Sequence, residues 1–206
     1  MRTIVYVDGF NLYHRALRNT PHKWLDLVAL AHHVLADNEV VHVRYFTAKI
    51  IATPADPQAP QRQQVYLRAL GTLPELTIHY GQFRRRQKRG LLVEPKIAGV
   101  TMATIATFEE KGSDVNIAAY ALADAYEGRA DTVVLLTNDS DLAEPARMLR
   151  ARGTTVGVIV PAEGLKPDTV PADFFKTLRP ADLAQCQLPA SLTDAKGRVV
   201  HKPPSW

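Results

Sequence analysis

The amino-acid sequence predicts an α/β domain: a parallel sheet with helices on both faces. Two observations predict this class. Short apolar runs rich in β-branched residues recur along the chain, and most are followed by a segment whose apolar residues have helical spacing. Strands that alternate with helices pair in parallel, because each helix carries the chain back to the same edge of the sheet.

Five segments are predicted to be strands. They cover residues 3–8, 40–50, 76–83, 131–139 and 154–161. Helices are predicted over 9–17, 24–35, 62–73, 113–128 and 140–153. Ser113 is a suitable N-cap for the fourth helix, while Gly128 and Gly153 are the stop signals of the last two.

The domain organisation follows from the same pass along the chain. Residues 1–180 are predicted to form one domain, with an insertion at 84–112 that we interpret as an irregular hairpin. Residues 181–206 are polar and contain prolines, so we expect a C-terminal tail that packs only in part.

The composition excludes several classes of protein. No apolar run approaches the 18 or so residues of a membrane span, and the first residues lack the apolar stretch of a signal peptide. The single cysteine, Cys186, excludes an intrachain disulfide and a cysteine zinc cluster. We therefore expect a cytoplasmic protein with no membrane partner.

Positive charge is concentrated in one short segment. The net charge is only +4, but five basic residues occupy the six positions from 84 to 89: Arg84, Arg85, Arg86, Lys88 and Arg89. Such a run fits a solvated loop. It also fits an edge that contacts the phosphates of a nucleic acid.

Acidic side chains stand where predicted strands and helices meet. Asp8 ends the first strand, Asp139 and Asp141 follow the fourth, and Asp114 lies in the first turn of a helix. With strand order 3-2-1-4-5, the first and fourth strands are neighbours at the point where the order reverses, which is where open parallel sheets bind ligands. Each acid taken alone also fits a turn or a helix cap.

Clustered carboxylates repel one another unless a cation joins them. Oxygen ligands without histidine or cysteine suit Mg²⁺ or Mn²⁺. The chemistry that such a site best supports is hydrolysis of a phosphodiester, because the metal polarises the phosphate and activates a water. The sequence therefore predicts a metal site with Asp8, Asp114, Asp139 and Asp141 as its acids.

Three motifs resemble those of the NYN domain, a family of the PIN-like nuclease superfamily, and the chain looks like a LabA-like member. They are "YVDGFNLYH", "EEKGSDVNIAAYALADAY" and "VVLLTNDSDLAEPARMLRARG", and they occur in the expected order and spacing. The resemblance implies a Rossmann-like PIN fold and a ribonuclease that depends on Mg²⁺ or Mn²⁺, and we expect it to be an endoribonuclease.

The resemblance also implies roles for individual residues. Asp8, Asp114, Asp139 and Asp141 match its metal-binding and catalytic acids. Its polar companions, which position the ligands or the phosphate, are matched by Asn11, Thr137 and Asn138. Lys111, which precedes the second motif's acid, could contact phosphate or be solvated. The charge of the basic run at 84–89, rather than the resemblance, leads us to expect that it contacts RNA. A homodimer is also possible in this superfamily.

One position departs from the family pattern. Some relatives have an acid where this chain has Tyr120, so the number of metal ligands stays open. Asp124, one turn further on, lies about 80° from Asp114 around the helix and is a poor substitute. A regulator that binds RNA or a protein without cleavage is therefore the alternative function. A phosphatase is disfavoured, because "YVDGFN" lacks the second aspartate of an aspartyl-phosphate enzyme.

Overall fold

The computed structural model of the chain describes residues 1–93, 99 and 101–206. Its centre is a six-stranded parallel sheet with the order β3-β2-β1-β6-β7-β8. The strands of this sheet are β1 (Arg2–Asp8), β2 (Glu39–Thr47), β3 (Leu76–Tyr80), β6 (Thr132–Leu136), β7 (Thr155–Val160) and β8 (Phe174–Thr177). The α/β class is confirmed.

The five predicted strands lie in the predicted order, and β8 adds a sixth strand that the sequence analysis missed. Its four residues are too few to show a period. They join the sheet by pairing with β7, where the ring of Phe174 packs over Gly157. The third strand is shorter than predicted and ends at Tyr80.

Helices cover both faces of the sheet. They are α1 (Gly9–Leu12), which continues as a π-helical turn over Tyr13–Leu17, then α2 (Leu27–Val34), α3 (Ala59–Leu70), α4 (Ser113–Tyr126), α5 (Ala143–Ala151) and α6 (Pro180–Gln185). Alternate side chains of β1 enter two separate cores, because successive residues of a strand point to opposite faces. Val5 and Val7 pack with α2 and α3, while Ile4 and Tyr6 pack with α4 and α5.

The segment after residue 180 packs against the first of these cores. Leu188 and Val200 are buried there, and the indole of Trp24 donates a hydrogen bond to the carbonyl of Pro189 at 2.8 Å. The ring of Trp206 lies 5.6 Å from that of Tyr66. A small hairpin of β9 (Ser191–Thr193) and β10 (Val199–His201) completes this segment.

A long antiparallel hairpin, β4 (Gln82–Leu91) and β5 (Met102–Lys111), occupies most of the predicted insertion. The basic run therefore lies on a strand. Residues 94–98 and 100, which belong to the same predicted insertion, lie outside the described residues. No helix in the part of the chain that the structure describes is long and apolar enough to cross a membrane.

Candidate metal centre

The register of the sheet brings Asp8 and Thr137 side by side at the carboxyl edge. Val7 of β1 pairs with Leu136 of β6, so the next residue of each strand leaves the sheet at the same level. The hydroxyl of Thr137 donates a hydrogen bond to Oδ2 of Asp8 at 3.0 Å, and both residues are buried.

Asp8 also begins α1. Its Oδ1 accepts a hydrogen bond from the backbone N–H of Asn11 at 3.0 Å, so the carboxylate is an N-cap as well as a site residue. The next residue must be glycine, because a Cβ at Gly9 would lie 2.6 Å from the carbonyl oxygen of Phe46 and 2.7 Å from the ring of Tyr45. The turn that aims Asp8 at the site is thus set by close packing against β2.

Asp139 is held by the loop that leaves β6. Its backbone N–H donates to Thr137 Oγ1 at 3.1 Å, and its own Oδ1 accepts from the N–H of Asp141 at 3.0 Å. The side-chain oxygen of Asn11 accepts a hydrogen bond from the N–H of Asn138 at 3.1 Å. Asn11 and Thr137 therefore tie the two acid-bearing loops together.

Asp114 reaches the same place from α4. Gly112 precedes this helix with φ of +100°, a conformation that side-chain-bearing residues rarely adopt. Glu110 then caps the helix by accepting hydrogen bonds from the N–H and the hydroxyl of Ser113, at 3.1 and 2.9 Å. Glu110 is absent from the predicted site residues, although it lies close enough to act electrostatically on Asp8 and Asp114.

The three acids converge. One carboxylate oxygen from each of Asp8, Asp114 and Asp139 lies within 4.8 Å of the others. Oxygens that share one Mg²⁺ at about 2.1 Å are separated by up to about 4.2 Å, so a small closing movement brings all three to one ion. The donor set consists entirely of hard oxygen atoms, so these residues could hold a divalent metal ion that prefers oxygen ligands.

The electrostatics of the cluster also favour a bound cation. Burial raises the pKa of Asp8, with further contributions from Asp139 and Glu110, against the hydrogen bonds from Asn11 and Thr137. Burial, followed by the charges of Asp8, Asp139 and Glu110, raises the pKa of Asp114 to about 6. Carboxylates that repel one another in this way gain from a bound cation.

Two other acids lie outside this trio. Asp141 is exposed and donates its N–H to Asp139. Asp124 faces away from the trio, as the helical angle predicts, and is fully buried beside Arg44, which donates to it at 2.6 and 2.9 Å. Tyr120, at the position where the family pattern has an acid in some members, stacks its ring under the guanidinium of Arg44.

The predicted RNA contacts lie on the hairpin. Arg84, Arg85, Arg86, Lys88 and Arg89 are all exposed on β4. Lys111, at the end of β5, is exposed and forms a 4.0 Å ion pair with Glu109.

A row of aromatic rings joins the acid cluster to the hairpin, and the sequence analysis missed it. Phe10 lies two residues after Asp8; its ring is 6.0 Å from that of Phe83 on β4, which is 6.4 Å from Phe108 on β5. The planes of neighbouring rings differ by only 16° and 23°. Their alignment depends on the pairing of β4 with β5, which sequence spacing does not reveal.

Comparison with known proteins identifies the family. The chain matches the NYN domain model over residues 2–174. It is 33% identical over 237 aligned positions to 6-hydroxy-3-succinoylpyridine 3-monooxygenase HspA of Pseudomonas putida strain S16, covering all of this chain and 75% of that protein. A crystal structure of a Vibrio parahaemolyticus protein of unknown function shares the fold, with a TM-score of 0.51 at 19% identity, over 87% of this chain and 93% of that one. The chain therefore belongs to the NYN domain family, the PIN-like family that its three motifs resemble.

Proposed function

We propose that the protein is a metal-dependent ribonuclease. The observation that carries this proposal is the convergence of Asp8, Asp114 and Asp139 at the carboxyl edge of the sheet. Because the chain belongs to a family related to PIN-like nucleases, hydrolysis of a phosphodiester is the chemistry that we expect of these acids. RNA is the expected substrate, because a strongly basic hairpin stands beside the acids.

In this proposal the three carboxylates hold Mg²⁺ or Mn²⁺. The bound ion would polarise the scissile phosphate and lower the pKa of a water. Thr137 and Asn11 keep Asp8 and the loop of Asp139 in position through their hydrogen bonds. Asp141 supports Asp139 through its backbone N–H. We expect cleavage within the RNA chain, because the hairpin can hold RNA that continues past the site.

The test is cleavage of RNA with Mg²⁺, with Mn²⁺ and with excess chelator. Asp139→Asn keeps the shape of the side chain and removes its charge, so we expect activity to fall by about 100-fold or more. Asp37→Asn is the matched control, since Asp37 is exposed in the loop before β2, at the opposite edge of the sheet. A circular RNA, which has no ends, separates internal cleavage from digestion of ends.

Two results would reject the nuclease. Cleavage that persists in the chelator or in Asp139→Asn would show that the acids and their metal take no part in the reaction. Tight RNA binding with no product from any RNA and either metal would favour the non-cleaving regulator.

A second candidate is oxygenation of an aromatic nitrogen heterocycle. The observation that favours it is the 33% identity, over the full length of this chain, to a protein named as a monooxygenase of a hydroxylated pyridine. The rings of Phe10 and Phe83 offer a surface on which a planar ring could stack.

This candidate has its own assay. The protein is incubated with 6-hydroxy-3-succinoylpyridine, O₂ and a two-electron reductant, and the products are examined by mass spectrometry for one added oxygen atom, the other being reduced to water. Insertion without RNA cleavage would replace the nuclease proposal, and no reaction would reject the monooxygenase.

A further inference from the structure

The two faces of the β4–β5 hairpin differ in chemistry. Directly paired residues of an antiparallel ladder project to the same side, and successive residues alternate. From the pairing of β4 with β5, one face carries Phe83, Arg85, Gln87 and Arg89 together with Phe108 and Glu110. We call this the stacking face. The opposite face carries Arg84, Arg86 and Lys88 together with Ile105, Glu109 and Lys111, and we call it the paired face.

Much of the positive charge on the paired face is already engaged. Glu109 forms ion pairs with Lys88 and with Lys111. The guanidinium of Arg84 donates hydrogen bonds to the side chain of Gln82 at its own edge of the hairpin. Two of the four cations of this face, Lys88 and Lys111, are therefore already paired with a carboxylate. The face still has the larger net charge, +3 against +1, so the choice between the two faces rests on the rings and on the route to the acids.

The arginines of the stacking face are differently placed. Among the residues that the structure describes, Arg85 and Arg89 form no ion pair, and both are exposed. They lie four residues apart on one strand, which is about 14 Å. The ring of Phe108, which is 37% exposed, lies directly across the ladder from Arg85, and the ring of Phe83 lies two residues nearer the central sheet on the same face.

The stacking face is also the one that leads to the acids. Phe83 stacks on Phe10, two residues from Asp8, and Glu110 on the same face lies beside Asp8 and Asp114. A chain lying along this face therefore runs from exposed arginines, over aligned aromatic rings, to the metal-binding carboxylates. The paired face also approaches α4, through Lys111 at its end, but among the described residues of β4 and β5 it carries no aromatic ring.

We propose that the stacking face, and not the paired face, binds single-stranded RNA and guides it to the acid trio. Arg85 and Arg89 contact phosphates, and unpaired bases stack on Phe83 and Phe108, since aromatic side chains stack on bases of any sequence once these are unpaired. This inference rests on the proposed ribonuclease for its choice of RNA. It limits the predicted phosphate contacts of the basic run at 84–89 to two of its five cations, Arg85 and Arg89.

The decisive experiment compares two double variants in binding to a fluorescent single-stranded RNA with excess chelator present, so that no cleavage occurs. Arg85→Ala/Arg89→Ala is matched by Arg84→Ala/Lys88→Ala, which removes two cations at the same spacing from the opposite face. We expect the first variant to bind about tenfold more weakly. Its plot of log affinity against log salt should be shallower by about 1.4, because two phosphate contacts are lost. The second should change affinity by less than about threefold.

A second pair of variants tests the rings. Phe108→Leu should weaken binding of the single strand by about fivefold to a hundredfold through the loss of base stacking. Ile105→Ala, which removes an exposed apolar side chain from the paired face, should have no effect. A duplex of the same length should bind more weakly than the single strand, and thermal unfolding of each variant verifies that it is folded.

Equal losses in the two double variants, no loss in either, or a preference for duplex would overturn the inference. These results are independent of the cleavage assay. Face-specific binding by a protein that never cleaves would reject the nuclease and keep this inference, whereas metal-dependent cleavage with no difference between the faces would reject this inference alone.

Discussion

Helix α4 carries two acids that have opposite surroundings. Asp114 in its first turn faces Asp8, Asp139 and Glu110, all of them acidic. Asp124, near its last turn, accepts hydrogen bonds from Arg44, from the hydroxyl of Tyr6 at 2.6 Å and from Arg129 at 2.7 Å. Asp124 is thus surrounded by hydrogen-bond donors of the chain, whereas Asp114 is surrounded by other acids.

The pKa of each group reflects this difference. Burial alone would raise the pKa of Asp124, but hydrogen bonds from Arg44, Tyr6 and Arg129 hold it below its usual range. Burial and neighbouring carboxylates raise the pKa of Asp114 to about 6. The charge of Asp124 is balanced by donors of the chain itself, whereas the carboxylates of the acid trio face one another and could hold a divalent cation. This contrast separates an acid that stabilises the fold from acids suited to a metal.

The largest expected effect is on stability, from Asp124→Asn. Removing one partner of a buried ion pair leaves Arg44, only 14% exposed, without its counter-charge. We expect the free energy of unfolding to fall by about 3–5 kcal/mol, measured by denaturant titration in chelator. Asp131→Asn, which breaks an exposed pair with Arg2, is the control and should cost far less. Similar losses in the two variants would mean that the Asp124 network is not a stabilising centre.

An intermediate effect should come from metal. Mg²⁺ or Mn²⁺ at 100 times its dissociation constant should stabilise the folded protein by about 2.7 kcal/mol, since an ion that binds the folded state shifts unfolding by mass action. For a chain of this size that is a rise of about 5–10 °C in Tm. Asp139→Asn should abolish the rise, and Asp37→Asn should keep it. A wild-type Tm that does not change with either metal would contradict the metal site.

The smallest effect is on pH dependence without metal. Because Asp114 has a raised pKa in the folded protein, the folded state holds more protons than the unfolded state between about pH 4 and 6. This group therefore lowers stability as the pH rises through that window. Thermal unfolding of wild type and Asp114→Asn in chelator should differ least at pH 4.5 and most at pH 7, with the variant the more stable at pH 7. A constant difference would show that Asp114 titrates normally.

Much of the fold and of the acid cluster could be predicted from the sequence. The strand ends can be predicted because apolar runs stop abruptly at Asp8 and near Asp139. Parallel topology then places those ends together. The same carboxylates also serve as helix caps, so the two interpretations of Asp8 and Asp139 apply together.

The features that could not be predicted depend on contacts between residues that are distant in sequence. Arg44 and Asp124 are 80 positions apart and belong to different elements, so no local pattern pairs them. The alignment of Phe83 with Phe108 follows from the register of the hairpin ladder. A four-residue edge strand such as β8 is determined by the surface that it covers more than by its own composition.

The junction between the hairpin and α4 has a mechanical consequence. β5 ends at Lys111, Gly112 turns the chain, and α4 starts at Ser113, so only one residue separates the hairpin from the helix that carries Asp114. The hydrogen bonds from Ser113 to Glu110 fasten this pivot. A tilt of the hairpin relative to the central sheet would therefore also move the first turn of α4, which carries Asp114.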